Sequence, residues 1–284
     1  MRKLFTIIAS VAILAFAGCA GASSKPVAAN NPFAGKEVST YLVGSYMKTK
    51  AVKEKLTAAD FSVVATYKPV KKGTTIVFTN DALKAQGAKP GRAYAAVLRV
   101  FVDDKAKMIS FTNPIYFGKA FMQDDFDYDV FAAQLDAINK AFPGLKESPD
   151  RLKFEDLAGF HFMMGMPYYN EPDILAEGTN EELLAKAKKY KKGKYLVFAL
   201  KLSDNSTLLG YDLSKRTKKF VKKIGRQNAA ILPWTIAIEN GKATALNAKY
   251  YIAISYPLLD MGGFMRIATV PGAITKELSK PFKK

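Results

Sequence analysis

Histidine, cysteine and tryptophan occur once each in the 284 residues. A single cysteine excludes an internal disulfide, and a single histidine leaves too few ligands for a His-rich metal centre. A Ser-His-Asp triad would have to use His161, and no Gly-x-Ser-x-Gly elbow accompanies it. Gly-x-Gly-x-x-Gly and phosphate-loop patterns are also missing, which removes the common nucleotide-binding signatures. Ser45-Tyr46-Met47-Lys48 fits the Ser-x-x-Lys pattern of penicillin-recognising enzymes, but the Ser-Asp-Asn and Lys-Thr-Gly partners are lacking. Acidic residues are scarce as well: 25 against 43 basic ones, for a formal charge of +18. What the chain has is 49% hydrophobic and 12% aromatic residues, enough for one large core or two small ones and too much for a disordered chain.

The N-terminus points to a compartment. Arg2 and Lys3 precede an apolar run from Leu4 to Ala17, too short for a stable span, which reads as a secretory signal peptide over residues 1–18. It ends in Leu14-Ala15-Phe16-Ala17-Gly18-Cys19, similar to the bacterial lipobox, so Cys19 is the expected site of lipid attachment and the first mature residue. Ala20 after the cysteine resembles the outer-membrane sorting pattern, so the expected location is the outer membrane, facing the periplasm. A plain signal peptide cut near Ala22 is the alternative. Residues 19–36, largely small and polar, read as a flexible tether. No later segment is apolar for long enough to cross a bilayer.

Charge is segregated along the chain. Gln123 to Glu182 holds 14 acidic and 4 basic residues, whereas Lys186 to Arg226 holds 14 basic and 2 acidic. The densest basic element, Ser214 to Gly225, places Thr217, Phe220, Val221 and Ile224 on one helical face. Ser214 is its expected N-cap and Gly225 its stop. Lys215, Arg216, Lys218, Lys219, Lys222 and Lys223 cover the rest and form the candidate contact with an anionic surface; an ordinary solvated helix face is the simpler alternative. In an envelope protein the candidate partners are lipid headgroups, lipopolysaccharide or peptidoglycan. Nucleic acid suits the charge but not the compartment.

Period-two alternation predicts strands at Tyr41–Tyr46, Ser62–Tyr67, Thr75–Phe78, Tyr94–Val102 and Met108–Phe117. Helical spacing predicts helices at Thr49–Ala59 and Asp125–Phe142, with a short turn of helix at Asp81–Gln86. The second half replays this order: a strand at Phe160–Tyr168, a helix at Asn180–Lys192, and a hairpin of Tyr195–Leu202 and Thr207–Tyr211. Strands at Ile231–Ile238 and Lys242–Ile254 follow, joined through Asn240-Gly241. Lys107 then aligns with Lys242 and Tyr116 with Tyr251. The expected units span residues 37–146 and 158–284.

Phe78-Thr79-Asn80-Asp81-Ala82-Leu83, Leu98 to Val102, the acidic Asp103-Asp104 turn and Ser110 to Tyr116 resemble the bacterial "domain of unknown function 302" family. Leu232-Pro233-Trp234-Thr235-Ile236-Ala237-Ile238-Glu239 is similar to that family's Leu-Pro-led strand. The resemblance implies an α+β fold of two tandem β-α-β4-α units, TATA-binding-protein-like, with antiparallel sheets and helices packed on one face. It also implies that the pair acts as a covalent version of the family's dimer, so the expected state is a monomer with pseudo-dimeric repeats. Many members carry cysteine just after the Leu-Pro, where this chain has Arg99 or Trp234, so no thiol role carries over.

Two further constellations carry chemistry. Tyr116 and Phe117 in the first half, with Trp234, Tyr251 and Tyr256 in the second, are the candidate lining of a ligand groove between the halves; the alternative is that these rings are the packing between them. Phe160-His161-Phe162-Met163-Met164-Gly165-Met166 offers thioether and imidazole donors suited to Cu(I). On a strand, His161 and Met163 share a face and Met164 and Met166 the other, which splits the donors, so no metal or other cofactor is assigned. The expectation is a non-catalytic envelope lipoprotein acting as a binding module toward an anionic component. The alternative is a small-molecule or copper-binding protein using the inter-repeat groove.

Overall fold

The structure, a computed structural model, describes residues 32–283. The signal peptide, Cys19 and most of the tether lie outside the described residues. The chain opens with strands β1 (Glu37–Ser39) and β2 (Tyr41–Ser45), helix α1 (Thr49–Ala58), and the hairpin β3 (Ser62–Val70) and β4 (Gly73–Thr79). Helix α2 (Asp81–Gly87) leads to the hairpin β5 (Leu98–Asp103) and β6 (Met108–Thr112), then to α3 (Pro114–Met122) and α4 (Tyr128–Ala141). Strands β2 to β6 and the short β7 (Lys146–Glu147) form one antiparallel sheet in the order β3-β4-β5-β6-β2-β7. Strand β8 (Arg151–Lys153) returns to pair with β1, so the stretch between the two expected units is tied to the first.

The remainder contains β9 (Asp173–Glu177), α5 (Asn180–Lys189), the hairpin β10 (Leu196–Ser203) and β11 (Ser206–Tyr211), and α6 (Phe220–Ile224). It ends with the hairpin β12 (Trp234–Glu239) and β13 (Lys242–Ala245), then α7 (Ala248–Ser255), α8 (Met261–Met265) and α9 (Val270–Ser279). The second sheet runs β10-β11-β12-β13-β9, again antiparallel. Taken in chain order, its five strands are arranged as β2 to β6 are in the first sheet. The result is a mixed α+β fold.

Alternation along the strands divides the packing. Phe78 of β4 and Phe111 of β6 meet at 6.1 Å between ring centroids and reach Phe61 and Phe142, beside the buried Val52 and Leu56 of α1 and Ile138 of α4. The alternate residues of these strands point the other way, toward the second half. There the Thr75 hydroxyl donates to the Ala229 carbonyl at 3.4 Å and Tyr94 shares a hydrogen bond with Thr244 at 3.1 Å. The 3-10 segment Ala93–Ala96 packs on β11 and β12, while the 3-10 segment Arg226–Ile231 packs on β4 and β5. Reciprocity extends to the helices: the Tyr116 hydroxyl of α3 donates to the Ile254 carbonyl of α7 at 2.7 Å, and that of Tyr250 of α7 to the Ala120 carbonyl of α3 at 3.4 Å.

Several sequence expectations need correction. Residues 114–117 and 248–254 are helical rather than continuations of β6 and β13, because Asn113 and Asn247 cap new helices by accepting from the Ile115 and Lys249 N–H groups at 3.0 Å. Phe160–Tyr168 is a turn-rich segment; the opening strand of the second sheet is β9 instead. The strand expected from Tyr94 begins at Leu98, after the 3-10 segment. The β5–β6 connection places four residues between Asp103 and Met108, and the β12–β13 connection two between Glu239 and Lys242. Tyr116 therefore corresponds to Tyr250, not Tyr251, and Met108, not Lys107, to Lys242.

Candidate functional site

The β3–β4 turn is Val70-Lys71-Lys72-Gly73, with Val70 paired to Gly73 and Lys72 at φ 56°. Gly73 lies under the Phe101 ring, where an added Cβ would come within 2.6 Å of Cζ, so close packing holds this turn against β5. Facing it from the second half is the basic element foreseen in the sequence, built as a 3-10 turn, Thr217–Lys219, running into α6. Thr217, Phe220 and Val221 are buried, and Gly225 ends the helix at φ 114°. Ser214 accepts from the Thr217 N–H at 3.3 Å.

Glu277 of α9 fixes the start of this element. It accepts from the Ser214 N–H and hydroxyl at 2.7 Å each and from the Thr217 hydroxyl at 2.5 Å. Burial alone would raise the Glu277 carboxyl, but these bonds, with Lys280 nearby, outweigh it and hold the group below its ordinary range.

Lys215, Lys218, Lys219 and Lys222 recur at helical spacing and face Lys68, Pro69, Val70, Lys71 and Lys72 across a cleft of about 580 Å³. A second cavity, about 520 Å³, shares Lys71, Lys72 and Lys222 with it and adds Lys105 and Arg226. Nine cations thus line these two adjoining cavities, four from the first half and five from the second.

Only two of the nine have a carboxylate partner among the described residues. Lys218 Nζ lies 2.8 Å from Asp212 Oδ1, donates to the Tyr67 hydroxyl at 3.2 Å and sits over the Tyr67 ring. The Tyr67 hydroxyl donates to Asp212 in turn. Burial, then the Asp212 carboxylate, push the phenol far above its ordinary value, so it remains a donor.

Arg226 Nε donates to both Asp103 oxygens at 2.9 and 3.1 Å, and Nη2 to Oδ1 at 2.9 Å. Its Nη1 donates to the Lys71 carbonyl at 2.7 Å and Nη2 to that of Lys72. Arg226 therefore clamps the β3–β4 turn to the end of β5. Burial alone would raise Asp103, but Arg226 and the Ala106 and Lys105 N–H groups hold it low. The side chains of Lys68, Lys71, Lys72, Lys105, Lys215, Lys219 and Lys222 have no such partner among the described residues. Like charges held this close repel one another, and an entering anion relieves that repulsion.

Of the surface contacts named from sequence, Lys215, Lys218, Lys219 and Lys222 line the cleft, whereas Arg216 and Lys223 do not. Lys223 donates to the Arg266 carbonyl at 3.1 Å. Sequence reasoning missed Lys68, Lys71, Lys72 and Lys105; for the first three the dense Lys68-Pro69-Val70-Lys71-Lys72 stretch, from the end of β3 into the turn, was the available signal.

Tyr116, Phe117, Trp234, Tyr251 and Tyr256 are buried. Trp234 meets Tyr251 edge-on at 4.9 Å within the second half and Phe117 meets Tyr116 at 5.2 Å within the first, while Phe121 meets Tyr251 across the two at 6.0 Å, so the rings are packed rather than arranged around a space. A cavity of about 590 Å³ lies elsewhere, at the β2–β7 edge, lined by Tyr41, Ser110, Ser148 and Asp150 among others. Burial raises the Asp150 carboxyl. His161 lies against the Tyr168 ring at 4.4 Å, and Met163 is exposed. Among the described residues no group of three or more His, Cys, Asp or Glu side chains is placed to hold a metal ion. No helix among them is long and apolar enough to cross a membrane.

No known family model matches the chain. Comparison with curated proteins and with solved structures gives no significant match either.

Proposed function

We propose that the protein is a cell-envelope lipoprotein, anchored through Cys19 in the outer membrane and facing the periplasm, that acts as a binding module rather than a catalyst. Its inter-half cleft takes a segment of an anionic envelope polymer. The observation that carries this reading is the cleft itself: nine cations from both halves, seven of them without a carboxylate partner among the described residues. Such a site gathers phosphate or carboxylate groups by its summed field. The matching strand order of the two sheets supports two tandem copies of one α+β unit; the TATA-binding-protein-like form, the likeness to the "domain of unknown function 302" family and the monomeric state are part of the same proposal.

The test is titration of the chain from Ala20 onward with labelled polyphosphate and polyglutamate at ~50 and ~300 mM salt, concentrations over which screening shortens from beyond 10 Å to well below it. The expected result is binding that weakens with salt. Lys71→Glu/Lys219→Glu abolishes it, whereas Lys188→Glu/Lys189→Glu on α5 leaves it nearly intact. Equal loss in both variants would reduce the effect to bulk charge and sink the assignment to the cleft.

A further inference from the structure

The large apolar side chains left exposed are not scattered. Of the seven among the described residues, six belong to two segments: Met163, Met164 and Tyr168 in one, Leu258, Met261 and Met265 in the other. Met164 is 94% exposed and Met265 65%. The segments are fastened together from beneath, where Phe162 stacks on Phe264 of α8 at 4.9 Å with the planes 25° apart. The two segments therefore meet at this ring pair, which places their exposed thioether side chains in one part of the surface. A cluster of exposed apolar side chains on a folded chain marks a surface that something covers.

The border of this surface names the occupant. Lys223, on the outer side of α6, donates to the Arg266 carbonyl at 3.1 Å, which brings the basic element against α8. Lys223 and Arg266 are exposed and have no carboxylate partner among the described residues. Asp260 and Glu171 belong to the same two segments and keep their charge, but each is turned to its own backbone, accepting from the Gly263 N–H at 2.6 Å and the Tyr168 N–H at 3.0 Å. An apolar surface bordered by cations complements an anionic bilayer, with the side chains entering the headgroup region and the cations meeting phosphates. A second copy of this chain complements it poorly, because each copy would bring its own Lys223 and Arg266 against cations of the same sign. Residues 19–32 are long enough, at about 3.3–3.6 Å each when extended, to let a chain anchored at Cys19 reach the same bilayer.

We infer that the surface formed by Met163, Met164, Leu258, Met261 and Met265, bordered by Lys223 and Arg266, docks on an anionic phospholipid bilayer and sets the orientation of the anchored protein. The inference rests on the envelope reading above but not on the cleft. It gives the protein two separate contacts: a bilayer at the methionine surface and a polymer segment in the lysine cleft.

The experiment uses the chain from Ala20 onward, in which Met164→Cys supplies the single thiol for an environment-sensitive fluorophore. With vesicles of phosphatidylglycerol and phosphatidylethanolamine the label shifts to the blue; with phosphatidylcholine vesicles it does not. In the unlabelled protein, Met164→Ser/Met265→Ser lowers vesicle partitioning at least tenfold and leaves polyphosphate titration unchanged. Lys71→Glu/Lys219→Glu does the reverse, losing polyphosphate while the labelled form keeps its blue shift, so the two readings fail separately. Vesicle binding without a blue shift overturns the inference, as does unchanged partitioning of the double methionine variant. A blue shift that grows with protein concentration in the absence of lipid assigns the surface to a second copy and likewise overturns it.

Discussion

Arg226→Met is the substitution with the most to say about how the cleft is held. The Asp103 side chain is 1% exposed and that of Arg226 20%, so this is an ion pair largely withdrawn from water. Removing the guanidinium deletes three hydrogen bonds to the carboxylate and two to the carbonyls of Lys71 and Lys72. Asp103 is left with the Lys105 and Ala106 N–H groups, at 2.8 and 3.0 Å. Breaking a buried pair from one side costs about 3–5 kcal/mol, chiefly because the surviving charge stays buried. With a urea dependence of about 3 kcal/mol per molar, the unfolding midpoint falls by about 1–1.7 M. Arg226→Met/Asp103→Leu, which buries no charge, recovers much of that loss, so the paired substitutions are far from additive. Urea titration followed by far-UV circular dichroism reads all four proteins of the cycle. A loss below about 1 kcal/mol for Arg226→Met, or a double variant as unstable as the sum of the singles, would refute the clamp.

Other outcomes follow from the same geometry. Lys72 holds a positive φ that costs an L-residue about 1 kcal/mol, so Lys72→Gly leaves stability unchanged or raises it by up to that amount while weakening polyphosphate binding; urea melts and titration separate the two. Asp103 and Glu277 have lowered carboxyl groups, so their contribution to stability is complete above the ordinary carboxylate range and is lost as pH falls through their folded values. Denaturant midpoints should therefore drop on acidification, and Glu277→Gln should flatten that dependence. Tyr116→Phe removes the donor to the Ile254 carbonyl and costs about 1–2 kcal/mol, measurable as a shifted midpoint. Cys19→Ser should release the processed protein from membranes on fractionation; unchanged retention of an intact, processed chain would count against the anchor.

Where periodicity was strong, the sequence reading and the structure agree: α1, α4, α5 and the two long hairpins fall close to their expected bounds. The misreadings share a physical cause. In α3 and α7 nearly every residue is buried, so no polar face reveals the helical period and an apolar run passes for strand. Asn113-Pro114, a cap followed by proline at the first helical position, was the local signal that outranked alternation. For the cleft, α6 was legible because one helix carries its own lysine face. Of its partner lysines, Lys71 and Lys72 sit in the two-residue β3–β4 turn, Lys68 near the end of β3 and Lys105 in the β5–β6 connection, all in the other half of the chain, and turns have no period to read. The five aromatic groove candidates illustrate another limit: composition marks them for burial, but only packing decides whether the rings enclose a space or fill one.

Two identical chains joined about a two-fold axis repeat every feature, so a positively charged groove on one side requires another opposite. One chain with two sheets of like strand order escapes that rule, since each half can vary alone. At the place corresponding to Lys71 and Lys72, the second sheet turns through Asp204 and Asn205. The helix in the position of α6 is α2, whose Lys84 is paired with Asp81 at 2.6 Å. Among the described residues the lysine cleft therefore has no counterpart at the corresponding turn and helix of the other sheet, and the two ends of the like-ordered sheets are chemically distinct.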